Sequence, residues 1–315
     1  MHRKWVEGRG RYTERVDLAT QCDTDRGTPR GTWREVMAES ADQLSSTASQ
    51  EPVEVVIDTN TTSIARVYDY LLGGKHHYAV DRDACEAMTE AVPETPLLAK
   101  ANRSFVRRAV QYLVDEAGIK QIIDIGSGLP TTGNVHEIAQ DIDPNVRVVY
   151  VDKDPIVLAH GRALLSTNDN TTVITADLRD PDAIFEHPEV GRLIDTSEPF
   201  AVLLGGIMMH LEYAEDPEGV AARIRARLSS GGYLLHSGCC DPGDPRAGEL
   251  NRIFTETGMG SRCFAPVDEQ IRYFDGLDLV EPGLVPCNTW RPSPDFPDPD
   301  NPAHPMIIGG IGRKP

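Results

Sequence analysis

The sequence predicts an α/β fold, a mostly parallel sheet with helices on both faces, preceded by a helical cap. Three observations carry this. From Lys120 onward short apolar runs alternate with segments of helical periodicity, the pattern of a parallel sheet whose crossovers are helices. The second run, at 146–151, is apolar and rich in Val, as a strand buried on both faces is. The first run, Ile122-Ile123-Asp124-Ile125, opens directly into Gly126-Ser127-Gly128. Two glycines one residue apart let the backbone turn sharply at the carboxyl end of a parallel strand, where such sheets bind their ligands.

Ahead of the sheet, residues 1–52 mix Arg, Asp, Glu, Ser, Thr and Gly without apolar periodicity and read as a disordered tail. Residues 53–118 read as a helical cap. In it Ile64, Val67, Tyr68, Leu71 and Leu72 recur at helical spacing and Gly73-Gly74 closes the run. A second helix is expected over 81–91, Pro93 and Pro96 interrupt it, and a third runs over 97–118. The sheet domain then occupies 119–315. Its first strand is 121–125, followed by a helix at 132–140 and the strand at 146–151. A helix at 155–165 carries Pro in its first turn, a position where the missing N–H costs nothing. Strands follow at 172–176 and 200–204, a helix at 217–228 ends at Ser229-Ser230-Gly231-Gly232, and a fifth strand covers 233–236. Helices near 247–257 and 267–274 and strands near 279–285 and 306–311 complete the chain. The stretch 292–305, rich in Pro, Asp and Asn, reads as a surface loop.

Composition narrows the function classes. The 315 residues are 40% hydrophobic and 25% charged, close to the globular average. The longest apolar runs fall short of the roughly 18–20 residues of a membrane span. Met1-His2-Arg3-Lys4-Trp5 is followed by Glu7-Gly8-Arg9 rather than an apolar stretch, so no secretory signal is read and a cytoplasmic protein without a membrane partner is expected. The six cysteines (Cys22, Cys85, Cys239, Cys240, Cys263, Cys287) show no C-x-x-C spacing, which argues for reduced thiols and no metal site. A net charge of −18 repels phosphate backbones, so no nucleic-acid partner is expected.

A dinucleotide fingerprint needs a third glycine three residues after Gly128, but Thr131 stands there, Pro130 precedes it, and the next glycine is Gly133. The turn therefore suits a nucleoside without a pyrophosphate. Asp152 ends the second strand, where a carboxylate can accept both hydroxyl protons of a ribose. Asp177 ends the third, where it can accept a bond from an adenine amino group while Leu178 packs on the ring. Taken singly, an Asp at a strand end reads equally well as a helix cap or a solvated turn. Three acidic strand ends in order (Asp124, Asp152, Asp177), beside a glycine turn, point to a nucleoside site.

On these residues the chain resembles the class I S-adenosylmethionine-dependent methyltransferases. More narrowly it resembles the actinobacterial S-adenosyl methyltransferase family, formerly a domain of unknown function. The narrower likeness rests on Ser63-Ile64-Ala65-Arg66-Val67-Tyr68-Asp69-Tyr70-Leu71-Leu72-Gly73-Gly74-Lys75, Ala101-Asn102-Arg103, the Asp124 turn, Val149-Tyr150-Val151-Asp152 and Gly309-Gly310-Ile311-Gly312-Arg313-Lys314. It covers nearly everything from about residue 54 onward. The resemblance implies a Rossmann-like, seven-stranded, mostly parallel sheet whose last strand, near 306–311, inserts antiparallel beside the fifth. It further implies S-adenosylmethionine as cofactor, its methionine part over Gly126, Ser127 and Gly128, its ribose on Asp152, and its adenine by Asp177 and Leu178. Asp124 and Lys153 flank these positions, and backbone around Gly205 lines the methyl-transfer face. Arg103, on the last helix of the cap, is the candidate partner for the cofactor carboxylate, since a guanidinium binds carboxylate bidentately. Its alternative is an ordinary surface arginine.

Methyl transfer from a sulfonium is an in-line displacement that asks the protein mainly to position the nucleophile and exclude water. A nucleophile bearing a proton also needs a base, and His210, just past the fourth strand, is the candidate. Many small-molecule methyltransferases carry His-His-Leu there, which Met209-His210-Leu211 resembles with the first His replaced; the alternative is a His bonded to backbone or capping the next helix. Tyr68, Tyr70, Lys75, His76, His77 and Tyr78 form a polar, aromatic cluster that reads either as a lid shaping an acceptor pocket or as core. The expected function is methyl transfer to a small-molecule acceptor. A non-catalytic S-adenosylmethionine- or nucleoside-binding regulator is the alternative. A nicotinamide-dependent oxidoreductase is disfavoured by the missing third glycine and the lack of a Tyr-x-x-x-Lys pair.

Overall fold

The computed structural model describes residues 58–130, 133–165, 169–295 and 302–315. The expected tail at 1–52 lies outside them. The cap comprises α1 (Ile64–Leu71), α2 (Ala79–Ala91) and α3 (Thr95–Gln111), the last continued by a wider π turn over Tyr112–Glu116. Strand β1 (Gln121–Ile125) leads to α4 (Val135–Ile142), β2 (Arg147–Asp152), α5 (Pro155–Leu165) and β3 (Thr171–Thr175). Two short helices, α6 (Pro181–Phe185) and α7 (Pro188–Leu193), precede β4 (Ala201–Gly205). Beyond it come α8 (Pro217–Arg227), β5 (Tyr233–Cys239), α9 (Pro245–Glu256) and α10 (Val267–Gln270). The two-residue strands β6 (Asp278–Leu279) and β7 (Val285–Pro286) and the long β8 (Ile307–Arg313) close the chain.

The sheet runs β3-β2-β1-β4-β5-β8-β6, with β7 also on β8. Strands β1 to β5 are mutually parallel. The antiparallel insertion expected of the last strand is present: β8 pairs β5 from Tyr233↔Arg313 to Cys239↔Ile307. That pairing carries β5 three residues past the expected end at 236. The stretch expected as one strand at 279–285 is instead β6 and β7, so the sheet has eight strands where seven were expected. Pro282 has no N–H to give a ladder, and Gly283 at φ +94° turns the chain between the two pieces. The helix expected to start at 132 starts at Val135, because Gly133 takes φ +73° and Asn134 supplies the cap. Helices α6 and α7 were not anticipated, being too short to show periodicity, although each opens on Pro after a capping side chain, Asp180 or His187.

Alternate residues of each strand enter two cores, which is why helices cover both faces. Ile122, Val148 and Leu235 pack with Phe105 and Val110 of α3, with Leu113 of the π turn that continues it, and with Trp290. Ile123, Val149, Val202 and Leu204 pack with Ile184, Val190, Val220 and Ile224. The cap is therefore tied to the sheet through α3. Phe105 lies so close to β8 that a Cβ on Gly309 would stand 2.5 Å from its ring, so glycine there is a packing requirement. Arg108 donates from Nη2 to the Cys287 carbonyl at 2.6 Å and from Nε to the Trp290 carbonyl at 3.1 Å, so backbone carbonyls take part in satisfying this buried guanidinium. Among the described residues no helix is long and apolar enough to cross a membrane.

The strand order reverses between β1 and β4, since β1 passes to β2 on one side while β4 lies on its other. Ligands of open parallel sheets bind beyond the carboxyl ends of the strands at such a switch point. Gly126 to Gly128 begin there.

Candidate functional site

The turn after β1 is built by backbone that only glycine adopts freely. Gly126 and Gly128 take φ +74° and +67°. At Gly126 space is also decisive, because a Cβ would stand 2.4 Å from Ile207 Cγ1. Gly126 N–H donates to the Val151 carbonyl at 2.8 Å, which docks the turn on β2. Gly128 N–H donates to Asp152 Oδ2 at 2.9 Å and Asp154 N–H to Oδ1 at 2.9 Å. Each carboxylate oxygen of Asp152 keeps a further lone pair to offer. Burial raises the Asp152 carboxyl above the usual carboxylate range, and the two backbone N–H groups oppose the rise. Asp124, one turn earlier, is half-buried. Burial pushes its carboxyl up to about 7, against the Arg103 guanidinium and with the like charge of Asp152.

Helix α3 crosses this edge of the sheet. Arg103 Nη2 donates to the Gly133 carbonyl at 3.1 Å, which fixes the guanidinium at the far end of the β1–α4 turn. Val106 Cγ2 would lie 3.2 Å from a Cβ on Gly205, and Asn102 Nδ2 3.2 Å from one on Gly206, so the glycines ending β4 admit the helix. Asn102 is held from both sides. Ser237 Oγ donates to its Oδ1 at 2.6 Å, and its Nδ2 donates to Tyr68 Oη at 3.0 Å, which in turn donates to the Ala99 carbonyl at 3.2 Å. This chain joins β5, α3 and α1.

Asp177 sits beyond β3 with Oδ1 accepting from Arg179 N–H at 3.0 Å and Oδ2 3.5 Å from the Arg179 guanidinium. Leu178 is buried, and Lys153 is exposed. Ala176 N–H donates to the Asp152 carbonyl at 3.2 Å, which brings the ends of β2 and β3 together.

His210 is half-buried in a 3-10 turn, its ring against Phe254. Its Nδ1 lies 2.9 Å from the Met259 carbonyl. A carbonyl only accepts, so Nδ1 carries the proton and Nε2 keeps its lone pair. Burial lowers the imidazole to about 4, with the Met259 carbonyl opposing and the Lys153 charge adding. The backbone-bonded geometry of the alternative reading is thus present, and it leaves a neutral ring with one free acceptor nitrogen.

The aromatic cluster of the cap packs partly within the cap and partly against α5. Tyr70 meets His77 edge to face at 4.8 Å, Arg66 lies over Tyr78 at 5.1 Å, and His76 meets His160 of α5 at 4.5 Å. Beneath the glycine turn lies a cavity of about 130 Å³, lined by Ser127, Gly128, Asn134, His136, Tyr150 and Val173 among others. The buried Ser127 Oγ has no hydrogen-bond partner there, an atom left for a ligand or a water.

A family model described as S-adenosyl methyltransferase matches residues 50–315. The chain belongs to this S-adenosyl methyltransferase family. Two crystal structures agree with that membership. A candidate methyltransferase from Thermobifida fusca is 42% identical, with a TM-score of 0.77 over 85% of this chain and 99% of that one. A DUF574 family protein from Streptomyces avermitilis is 38% identical, with a TM-score of 0.78 over 82% of this chain and 99% of that one. No curated protein matches. As an S-adenosylmethionine-dependent methyltransferase the chain needs a nucleoside site and a methyl-transfer face, and the turn, Asp152 and Gly205 lie at adjoining strand ends.

Three residues that structure the surroundings of this candidate site were not singled out from sequence. Asp154 caps α5, its Oδ1 accepting from Ile156 N–H at 3.0 Å, and its backbone N–H holds Asp152 two residues back; its tertiary bond is the one its Oδ2 accepts from Ser63 Oγ, 91 residues away. Asn102 stands in the family segment Ala101-Asn102-Arg103, but nothing in sequence couples it to Ser237, 135 residues away. Ser63, the N-cap of α1, meets Asp154 only in the fold.

Proposed function

We propose that the chain transfers a methyl group from S-adenosylmethionine to a small-molecule nucleophile at the carboxyl ends of β1, β2 and β4. The observation that carries the reading is the pair Gly128 N–H and Asp152: a glycine turn locked to a half-buried carboxylate whose remaining lone pairs face no fixed donor. The donor set fits the cofactor. Gly128 has no atom within 4 Å of where a Cβ would be, so the turn leaves space over its backbone, and Ser127 Oγ is an unpaired group beside it. When bound, S-adenosylmethionine supplies the electrophilic methyl carbon.

In this reading Asp152 accepts both ribose hydroxyls. Gly126, Ser127 and Gly128 pass under the methionine part, with Asp124 behind them and Arg103 on the carboxylate. Leu178 packs on the adenine, Asp177 accepts from its amino group, and Lys153 covers the outer edge. Gly205 lines the methyl-transfer face. Tyr68, Tyr70, His77 and Tyr78 close the cleft as a lid over the acceptor. His210 presents Nε2 to the acceptor's proton. A base lowered to about 4 is weak, so its part is to orient a hydroxyl or amine and to take the proton as the nucleophile's own basicity collapses in the transition state. The charge of −18 favours neutral or cationic acceptors over nucleic acid. Cys85, Cys239, Cys240, Cys263 and Cys287 are free and buried, which suits a reducing, cytoplasmic setting.

Calorimetric titration with S-adenosylmethionine, S-adenosylhomocysteine, NAD and NADP tests this on wild type and Asp152→Ala. The expected result is micromolar binding of the first two only. The variant should bind about a hundredfold more weakly, the loss of two charge-assisted hydrogen bonds of about 1.5 kcal/mol each. Absence of binding by wild type, or preference for a nicotinamide cofactor, overturns it.

A further inference from the structure

We infer that Ser63 is a positioning residue for the ribose-binding carboxylate, acting through Asp154, so that the helical cap sets how long the cofactor stays bound. The inference rests on the proposed role of Asp152. Ser63 Oγ donates to Asp154 Oδ2 at 2.6 Å across 91 residues of sequence. That length is typical of a hydroxyl bound to an ionised carboxylate. As the N-cap of α1, Ser63 also faces Arg66 N–H, but at 3.5 Å, beyond the 2.7–3.2 Å range of an effective N–H···O bond. The short bond, and so the main work of the hydroxyl, is to Asp154.

Both ends of that bond are anchored. Ser63 N–H donates to Asp81 Oδ1 at 3.0 Å, while Asp81 Oδ2 accepts from Arg66 Nε at 2.7 Å and from Tyr78 N–H at 2.8 Å. Arg66 and Asp81 are buried at 3% and 0% exposure, so the starts of α1 and α2 share one closed ionic hub. At the other end Asp154 caps α5 with Oδ1 and holds Asp152 Oδ1 with its backbone N–H. The path from the cap to the ribose carboxylate is Ser63, Asp154, Asp152, with one hydrogen bond at each step. The ring contact of His76 with His160 fastens the end of the same cap segment to α5, one and a half turns after Asp154. Removing the Ser63 hydroxyl deletes the bond from the cap and leaves the loop 152–154 held by its own turn, by Gly128 and by the edge of the β2–β3 pairing. Asp152 then has to be ordered by the ligand, and that ordering is subtracted from affinity.

The test measures binding and dissociation of S-adenosylhomocysteine and of its analogue lacking both ribose hydroxyls. Ser63→Ala should dissociate S-adenosylhomocysteine about tenfold faster and raise its Kd to match, the worth of one charge-assisted hydrogen bond. The analogue's Kd should stay within about twofold of wild type, and Ser63→Thr, which keeps the hydroxyl, should restore wild-type behaviour. Glycine is nearly as good a cap as serine, so Ser63→Gly carries the same measurement if the alanine variant folds poorly. An unchanged S-adenosylhomocysteine Kd, or an equal loss for both ligands, overturns the inference while the cofactor site stands. If wild type fails to bind S-adenosylhomocysteine, or Asp152→Ala binds it as wild type does, the cofactor reading itself falls.

Discussion

Gly128 N–H donates to Asp152 Oδ2 at 2.9 Å, which joins the turn after β1 and the end of β2 into one hydrogen-bonded unit. The sequence separates the two by 24 residues, and the parallel pairing of β1 with β2 brings them together. An acidic strand end usually becomes solvated or caps a helix. Here the neighbouring turn supplies a donor and the following residue pair another, so the carboxylate is oriented before any ligand arrives.

The two glycines of that turn should respond differently to alanine. Both variants put a Cβ into left-handed backbone, which costs about 1–2 kcal/mol. Gly126→Ala adds a collision with Ile207 in a packed core, typically a further 1–3 kcal/mol. Gly128→Ala meets open space and should lose only a few degrees of Tm, yet its methyl group projects into the space assigned to the cofactor. Thermal melts and S-adenosylhomocysteine titrations should therefore rank Gly126→Ala worse for stability, while Gly128→Ala binds poorly though folded. A folded Gly128→Ala with full affinity would remove the turn from the site.

Asp124 makes stability depend on pH in the direction opposite to an ordinary paired carboxylate. Its folded value of about 7 lies above that of the unfolded chain, near 3.8, so the folded state holds the proton more tightly. The contribution is present below pH 4 and is lost as pH rises towards 7. Asp124→Asn cannot ionise and should gain stability relative to wild type as pH is raised from 5 to 8. Denaturation curves at these two pH values, compared between the proteins, check the sign; a difference independent of pH would place the ionisation elsewhere.

His210 and His236 act on the acid side. Burial lowers each to about 4, so each stays neutral in the folded protein while the unfolded chain takes up its proton near 6.5. Their stabilisation is complete above 6.5 and is lost as pH falls towards 4. Nitrogen-15 NMR should find His210 as the Nδ1–H tautomer from pH 6 to 8, without a titration step there. His210→Gln, which retains an N–H donor for the Met259 carbonyl, should flatten part of the fall in Tm between pH 6.5 and 4. A His210 signal that titrates near 6.5 would contradict the buried, carbonyl-bonded ring.

Much of this molecule follows from local pattern. The five parallel strands are visible because apolar runs, glycine turns and prolines at helix starts are local signals, while the antiparallel direction of the last strand followed only from the family resemblance. Asp152 and the glycine turn were legible for the same reason, each standing at a strand end. What was not legible depends on side chains meeting across the fold. Pro282 and Gly283 divide a seemingly continuous strand once β8 fixes the register. The hydroxyl of Ser63 serves a carboxylate in another layer, and Asn102 gains its meaning only when α3 crosses the glycines that end β4. His210 lies between the two cases: its position after β4 is a sequence fact, but its tautomer is set by Met259, 49 residues on.

The Ser237, Asn102 and Tyr68 chain links β5 to α1 through α3. Tyr68→Phe removes the hydroxyl that accepts from Asn102 Nδ2 and donates to the Ala99 carbonyl. The lost bonds, with one amide donor left buried and unpaired, should cost about 1–3 kcal/mol. Asn102→Leu removes the amide itself and leaves both Ser237 Oγ and Tyr68 Oη short of a partner. If the three groups serve as one strut between the cap and the sheet, the double variant Asn102→Leu/Tyr68→Phe should be less destabilised than the sum of the single variants, since the second change removes a group already deprived of its partner. Urea denaturation of the four proteins gives the coupling directly. Strict additivity would mean that Tyr68 is held by the Ala99 carbonyl alone, and that α1 rests on α3 without reporting to β5.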